Sequence, residues 1–167
     1  MSTPRRAPIL IDVQQQYFNG PLQIQYPPHD ESMAMIVRAL DAAAAAGIPI
    51  AAVQHSAGEG APVFEPGTPE FELHPEIERR RTDTWKGVIK QYGSVYADTD
   101  LAGWLRQHDF DTLVGYMTNN CILASAVKRS SSASLPKFSQ MPPGLSTLRT
   151  TQGSPTQKRC TPPCSRC

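Results

Sequence analysis

Long apolar runs, phosphate-binding glycine motifs and a large excess of one charge are all missing from this chain of 167 residues. The longest apolar stretch, residues 42–53, is alanine-rich and contains Gly47 and Pro49, so it is too weak for a membrane span. The amino terminus lacks the apolar core of a signal peptide, because Asp12 interrupts the first hydrophobic run. We therefore expect a cytoplasmic protein without a membrane partner, in which a free reactive thiol can persist.

Neither a GxGxxG segment nor a phosphate loop is present, so nucleotide binding has little support and no cofactor is expected. The length suits one domain with a substantial core. The formal net charge of +1 hides an asymmetry, because residues 1–128 contain all 15 acidic residues and only 10 Lys and Arg. Residues 129–167 contain 6 Lys and Arg and no acid.

The tail at residues 129–167 also lacks Ile, Val, Tyr and Trp, and holds 8 Ser, 5 Thr and 6 Pro. Such a composition cannot supply a core, so we predict a folded domain at 1–128 followed by a disordered, basic Ser/Pro-rich tail. Two explanations stay open, a change of reading frame near residue 128 and a natural tail. Three cysteines near the end lack a fourth ligand, which disfavours a zinc site. The tail lacks interleaved aromatics, so no specific nucleic-acid partner is expected.

Apolar runs and turn signals in residues 7–128 predict alternating strands and helices. Strands are expected at 7–13, 48–53, 85–92 and 109–114, with helices from Asp30 to Gly47, after Asp98 and from Cys121. A Gly- and Pro-rich loop at 57–83 is long enough to be either functional or disordered. This order is typical of a three-layer α/β/α fold with a parallel, Rossmann-like sheet.

Three chemically useful residues lie at or near the carboxyl ends of predicted strands, where ligands bind in parallel sheets. They are Asp12, Lys90 and Cys121. A lysine cation and a helix amino terminus would favour the Cys121 thiolate, and Asp12 could accept its proton. The sulfur would then attack a carbonyl, form a thioester and be released by water.

Each of these residues also has a structural interpretation. Cys121 could be a small buried residue, Asp12 a strand-end cap, and Lys90 a solvated charge or the ion-pair partner of Asp12. His55, after the second predicted strand, is expected to be a satisfied loop histidine rather than a base or ligand. Tyr17 could be an ordinary core aromatic.

Five segments resemble the isochorismatase-like cysteine hydrolases, a family that includes nicotinamidases and N-carbamoylsarcosine amidases. They are residues 9–14 (Ile-Leu-Ile-Asp-Val-Gln), 52–55 (Ala-Val-Gln-His), 88–90 (Val-Ile-Lys), 99–101 (Thr-Asp-Leu) and 115–121 (Gly-Tyr-Met-Thr-Asn-Asn-Cys). The resemblance covers about residues 7–128. It implies a catalytic triad of Asp12, Lys90 and Cys121.

The resemblance implies further features of the site. The Tyr116–Met117 peptide bond would be cis, and the N–H groups of Met117 and Cys121 would hold the oxyanion. Tyr17 and Tyr116 would contact the substrate. Nicotinamidases bind a metal through an Asp-x-His pattern, but Val53 stands at that aspartate position, so no metal is expected.

Family members continue after the cysteine helix with further strand–helix units, which residues 129–167 do not provide. We therefore expect an incomplete sheet, marginal stability and impaired activity. The resemblance also suggests a homo-oligomer, whose interface the altered tail could remove. The function indicated is hydrolysis of a small amide-type C–N bond. The alternative is a noncatalytic α/β remnant or small-molecule binding protein that keeps the pocket.

Overall fold

The computed structural model describes residues 8–25, 28–108 and 112–131, at whose centre lie four parallel strands. The strands are β1 (Pro8–Ile11), β2 (Ala51–His55), β3 (Lys86–Lys90) and β4 (Thr112–Gly115). Their order across the sheet is β3-β2-β1-β4. Ile11 is in register with Val53 on one side and Gly115 on the other, and His55 with Lys90. All four carboxyl ends therefore meet at one edge.

Four helices connect and flank the strands. They are α1 (His29–Ala45), α2 (Pro75–Glu78), α3 (Leu101–His108) and α4 (Leu123–Ser131). A 3₁₀ turn at Gln15–Tyr17 follows β1, and a π-helical turn at Thr118–Ile122 joins β4 to α4. No helix within the described ranges is long and apolar enough to cross a membrane.

Alternate residues of the strands face two separate apolar clusters. Leu10 and Val114 pack in the cluster that contains Leu40 of α1, whereas Ile11 packs in the cluster that contains Leu105 of α3. Successive side chains of a strand point to opposite faces, so a sheet covered on both faces is apolar throughout. The predicted parallel α/β fold is confirmed.

Helix α1 shows how the local pattern produces these layers. Its buried residues, Met33, Ile36, Leu40 and Ala43, recur at helical spacing and form one face. The helix ends before Gly47, whose φ of +61° is the left-handed conformation that glycine adopts without steric cost. The predicted end of this helix is therefore confirmed.

Three local predictions need correction. The loop predicted at 57–83 contains the short helix α2. His74 caps the amino end of this helix, because its ring accepts a hydrogen bond from the Glu76 N–H. Strand β2 begins at Ala51 and continues through His55, where the sequence predicted residues 48–53. Cys121 does not open an α-helix but lies inside the π-helical turn.

The predicted tail falls almost wholly outside the described residues, which end at Ser131. Within the described ranges, β4 pairs with β1 alone. The boundary at residue 128, the frameshift hypothesis and the homo-oligomer stay predictions.

Candidate active site

The end of β1 brings a carboxylate to the edge of the sheet. The Asp12 N–H donates to the Val53 carbonyl at 2.9 Å and continues the β1–β2 ladder one residue beyond the strand. Asp12 has a φ of +51°, a conformation that aspartate tolerates better than most residues. Its side chain is completely buried. The chain thus turns at Asp12 while the carboxylate stays inside.

Lys90 ends β3 and reaches the same place. Its ammonium lies 2.8 Å from Asp12 Oδ2 and 3.4 Å from Cys121 Sγ. The exposed fractions of Lys90 and Cys121 are 1% and 4%. Buried charges are costly unless paired, so the Asp12–Lys90 ion pair is what allows both groups to lie here. The structure therefore brings the three predicted catalytic side chains together.

His55 is a fourth member of the cluster, in contact with Lys90, that the sequence analysis did not predict. Its Nδ1 lies 3.3 Å from Lys90 Nζ, and its ring meets Phe64 edge-on at a centroid distance of 5.0 Å. A satisfied loop histidine was expected, but His55 is the last residue of β2 and faces the ammonium. The available signal was its position at the carboxyl end of a parallel strand, the same signal that selected Asp12.

Burial, together with the charges in the cluster, shifts the pKa values of Cys121 and Asp12 in directions that the sequence did not predict. The pKa of Cys121 is raised to about 11, chiefly by burial and then by the nearby Asp12 carboxylate, which together outweigh the Lys90 cation. Burial also raises the pKa of Asp12, although Lys90 opposes this. Burial and the Asp12 carboxylate therefore favour the neutral thiol, the direction opposite to the one expected from Lys90 and a helix amino terminus.

Asp12 is positioned to receive the thiol proton. Lys90 contacts one carboxylate oxygen, Oδ2, at 2.8 Å, and the Asp12 carboxylate lies near enough to Cys121 to help raise the pKa of the thiol. The raised pKa of Asp12 brings the proton affinity of the carboxylate closer to that of a thiolate.

The segment between β4 and Cys121 contains the expected cis peptide bond, between Tyr116 and Met117. Gly115 precedes it with a φ of +130°, and a Cβ there would lie 2.0 Å from the Ile11 carbonyl oxygen. The Tyr116 N–H donates to the same oxygen at 2.9 Å. Only glycine allows β4 to approach β1 this closely before the chain turns toward Cys121.

Aromatic side chains form the wall next to the three polar groups. Tyr17 is buried against Phe64 and Tyr116, with ring centroids 5.3 Å and 6.0 Å away. The Tyr116 hydroxyl is 2.7 Å from the Ser32 hydroxyl of α1. Burial raises the pKa of Tyr17, and the nearby charge of Asp12 raises it further. Phe64 comes from the loop that follows β2, so this loop shapes the wall.

The residues at the end of β2 do not fit the metal site of an Asp-x-His pattern. Val53 is apolar and fully buried, and the Lys90 ammonium faces Nδ1 of His55. Within the described ranges, no three His, Cys, Asp or Glu side chains are grouped to hold a metal ion. The predicted absence of a metal stays a prediction.

The parallel sheet and the buried aspartate, lysine and cysteine at its carboxyl edge define a parallel α/β protein with a polar cluster at the ends of its strands. The isochorismatase domain model matches residues 6–129, and the chain belongs to this family. A comparison with curated proteins gives no significant match.

Solved structures agree with this assignment. A candidate isochorismatase from Burkholderia xenovorans LB400 is 46% identical, with a TM-score of 0.71, over 77% of this chain and 62% of its own. An isochorismatase from Pseudomonas putida KT2440 is 26% identical, with a TM-score of 0.65, over 76% of this chain and 64% of its own. The fold is shared with Bacillus subtilis nicotinamidase, at 22% identity and a TM-score of 0.63, over 74% of this chain and 77% of its own. This chain thus spans less than two thirds of the length of the first two.

Proposed function

We propose that this chain is a cysteine-dependent hydrolase of a small amide-type C–N bond that works through a thioester intermediate. The supporting observation is the placement of the Lys90 ammonium, 2.8 Å from Asp12 and 3.4 Å from Cys121, in a buried cluster. A nucleophile, a base and a fixed cation within one crevice are the groups that acyl transfer requires.

The reaction begins with a proton transfer between two neighbours. As Cys121 Sγ bonds to the substrate carbonyl carbon, its proton moves to Asp12 and the carbonyl electron pair moves onto oxygen. The tetrahedral intermediate then collapses, the C–N bond breaks, and Asp12 gives the proton to the leaving amine. The acyl group remains on sulfur as a thioester.

Water completes the cycle. Asp12, again a carboxylate, takes a proton from the attacking water, whose oxygen bonds to the acyl carbon. The C–S bond breaks, the carboxylic acid leaves, and the proton returns to the sulfur of Cys121. One substrate and one water molecule thus give one acid and one amine.

Lys90 and the backbone balance the developing charges. The Lys90 ammonium stabilises the sulfur as it loses its proton and holds Asp12 in place. The N–H groups of Met117 and Cys121 are proposed to donate to the oxyanion, a contribution of about 3 kcal/mol per donor in comparable sites. Tyr17 and Tyr116 are proposed to contact the substrate beside the sulfur.

The substrate class follows from the site and from relatives. The polar cluster is buried beside the aromatic rings of Tyr17 and Tyr116, which favours a small, flat acyl group. One structural relative is named an N-carbamoylsarcosine amidase, at 18% identity, and another a nicotinamidase. We therefore propose small primary amides and N-carbamoyl compounds.

Ammonia release tests the proposal directly. The purified full-length chain is incubated with a panel of small primary amides and N-carbamoyl compounds. Cys121→Ser, Asp12→Asn and Lys90→Met should each lower turnover by about 10³-fold or more, since the three groups act as a unit. The matched control replaces Cys160, Cys164 and Cys167 by serine and should keep full activity. Turnover that survives in Cys121→Ser would contradict the proposal.

The covalent intermediate offers a second measurement. Rapid acid quenching followed by intact-mass spectrometry should show the acyl group added to the chain, with the label on the Cys121 peptide. Cys121→Ala should show no adduct. An adduct on another cysteine at equal yield would exclude Cys121 as the nucleophile.

A noncatalytic binding protein that retains the pocket is the second candidate. The observation that favours it is the burial of Cys121, which raises the pKa of the thiol to about 11 and disfavours the nucleophilic thiolate. Binding without turnover would raise the thermal midpoint with members of the same amide panel, without ammonia release. Ammonia release that depends on Cys121 would exclude this candidate.

A further inference from the structure

The Lys90 ammonium has one more partner than the proposed reaction uses. An ammonium carries three N–H donors and no acceptor. Asp12 Oδ2 forms an ion pair with it at 2.8 Å, Cys121 Sγ accepts a hydrogen bond at 3.4 Å, and a third neighbour among the described residues is His55 Nδ1 at 3.3 Å. Because Lys90 is almost completely buried, solvent is not a ready substitute for any of the three.

The His55 ring can accept this hydrogen bond in only one form. Nδ1 has a free lone pair when the imidazole is neutral and its proton is on Nε2. The pKa of His55 is lowered to about 4, first by burial and then by the charge of Lys90. The ring is therefore neutral at neutral pH, and the ammonium selects the Nε2–H tautomer.

The backbone of His55 is held by a second buried side chain. Gln14 Oε1 accepts from the His55 N–H at 2.7 Å, and Gln14 Nε2 donates to the His55 carbonyl at 3.0 Å. The same Nε2 donates to the Phe71 carbonyl at 2.8 Å. Gln14 follows Asp12 by two residues and is fully buried. The amide thus clamps the end of β2 to the segment that carries the proposed base.

We propose that His55 is a positioning residue for Lys90, and that Gln14 fixes His55 in the orientation that this requires. This inference rests on the proposed function, in which Lys90 must serve Asp12 and Cys121 together. Lys90 has four rotatable side-chain bonds and ends an outer strand of the described sheet. The additional contact with His55 Nδ1 holds the Lys90 ammonium in reach of both the acid and the sulfur.

Loss of this acceptor would leave one ammonium N–H buried without a partner. Such a group either recruits water or moves toward its strongest remaining partner. For Lys90 that partner is the Asp12 carboxylate, so the ammonium would move away from Cys121. The expected effect is on the chemical step rather than on substrate binding.

Nitrogen NMR of the wild-type chain tests the first part without any variant. In full-length protein labelled with ¹⁵N-histidine, His55 should show a protonated Nε2 and an unprotonated Nδ1 from pH 6 to 8. In Lys90→Met, the pKa of His55 should rise from about 4 toward the ordinary value of 6.5. A protonated Nδ1 in the wild type would overturn the proposal.

Three variants test the second part. His55→Phe keeps a ring against Phe64 but removes the acceptor, and should lower kcat by about 10- to 100-fold with KM within about twofold. His55→Asn keeps an acceptor near the Nδ1 position and should recover most of that loss. Gln54→Leu is the control, because it removes a hydrogen bond to the Phe71 carbonyl one residue away without touching Lys90. Equal kcat in His55→Phe and Gln54→Leu would overturn the proposal.

A spectroscopic measurement separates this inference from the proposed hydrolysis. The buried Lys90 ammonium should give a slowly exchanging ¹⁵N resonance that moves in His55→Phe and stays in Gln54→Leu. If the wild type hydrolyses no amide but this resonance moves, the positioning role stands and the proposed function fails. If amides are hydrolysed and neither the resonance nor kcat responds to His55→Phe, the positioning role fails and the function stands.

Discussion

The two ends of β3 carry the same pair of residue types in opposite surroundings. At the amino end, Lys86 pairs with Asp100, and the two side chains are 27% and 69% exposed. At the carboxyl end, Lys90 pairs with Asp12, and both side chains are completely buried. Four residues along one strand thus separate a surface ion pair from the centre of the candidate active site.

The difference lies in what surrounds the pairs. Water and salt screen the outer pair, which therefore contributes little to stability. Water is excluded from the inner pair, so its charges act strongly on any neighbour, and Cys121 is that neighbour. Position at the edge of the sheet, not residue type, therefore gives lysine and aspartate a chemical role.

The largest expected effect comes from Lys90→Met compared with Lys86→Met. Removal of Lys90 leaves the Asp12 charge buried without its partner, which costs about 3–5 kcal/mol in the free energy of unfolding. Turnover should also fall about 10³-fold or more. Lys86→Met should cost less than about 1 kcal/mol and leave turnover unchanged. Urea denaturation and ammonia release measure the two effects.

The double variant Asp12→Asn/Lys90→Met is the control for the predicted loss in the free energy of unfolding. Without either charge, the cost of the unpaired carboxylate disappears, so the double variant should be more stable than Lys90→Met alone. Similar losses of stability for Lys90→Met and Lys86→Met would show that the two ends of β3 do not differ as proposed.

Glycines give a second comparison between the two ends of the sheet. Gly115→Ala, at the carboxyl end, must place a Cβ 2.0 Å from the Ile11 carbonyl oxygen at a φ of +130°. Overpacking and backbone strain together should cost about 4 kcal/mol. Gly47→Ala, near the amino end of β2, meets nothing within 4 Å and has only its φ of +61° to sustain, which costs about 1–2 kcal/mol. Denaturation midpoints measure the difference.

Gly115→Ala should also reduce turnover in the fraction that stays folded, because Gly115 sets the path of the chain to Cys121. Gly47→Ala should reduce stability alone. If both variants lose the same stability and keep full turnover, the close approach of β4 to β1 is not needed for the site.

Most of the fold could be predicted from local pattern. The apolar runs around Leu10 and Val53 have few alternatives to buried parallel strands, and the spacing of Ile36 and Leu40 has few alternatives to a helix. The turn at Thr118–Ile122 and helix α2 could not be predicted. Both are short elements with local hydrogen bonds, such as Ile77 N–H to the His74 carbonyl and Ile122 N–H to the Met117 carbonyl, and neither is long enough to give a hydrophobic period.

The candidate site was partly predictable for the same reason. Parallel strands bring their carboxyl ends to one edge of a sheet, which was enough to predict that Asp12, Lys90 and Cys121 lie together. The contact of His55 with Lys90 depends on the β2–β3 register, which pairs these two residues and which no local pattern states. The raised pKa of Cys121 depends on the balance of burial and two opposite charges, so its direction required the distances.

The smallest expected effect is on the alkylation rate of Cys121, which should rise when the proposed catalytic residue Asp12 is replaced by asparagine. Asp12→Asn removes the carboxylate that helps to raise the pKa of Cys121 to about 11 and leaves the Lys90 cation that lowers it. The pKa should therefore fall, and at pH 8, below both values, a larger fraction of the thiol ionises. A thiolate of lower pKa is also less nucleophilic, which offsets part of this gain. Iodoacetamide should therefore react with Cys121 about three- to tenfold faster than in the wild type. Peptide mass spectrometry of quenched samples measures the rate.

The same substitution should abolish turnover, because the general base is lost while the nucleophile becomes easier to ionise. Asp100→Asn, which removes the carboxylate at the other end of β3, should change neither rate. In the wild type, alkylation of Cys121 should keep increasing up to about pH 11, whereas Asp12→Asn should reach its plateau at lower pH. Slower alkylation in Asp12→Asn would mean that Asp12 promotes ionisation of the resting thiol, and the neutral-thiol description of the site would then be wrong.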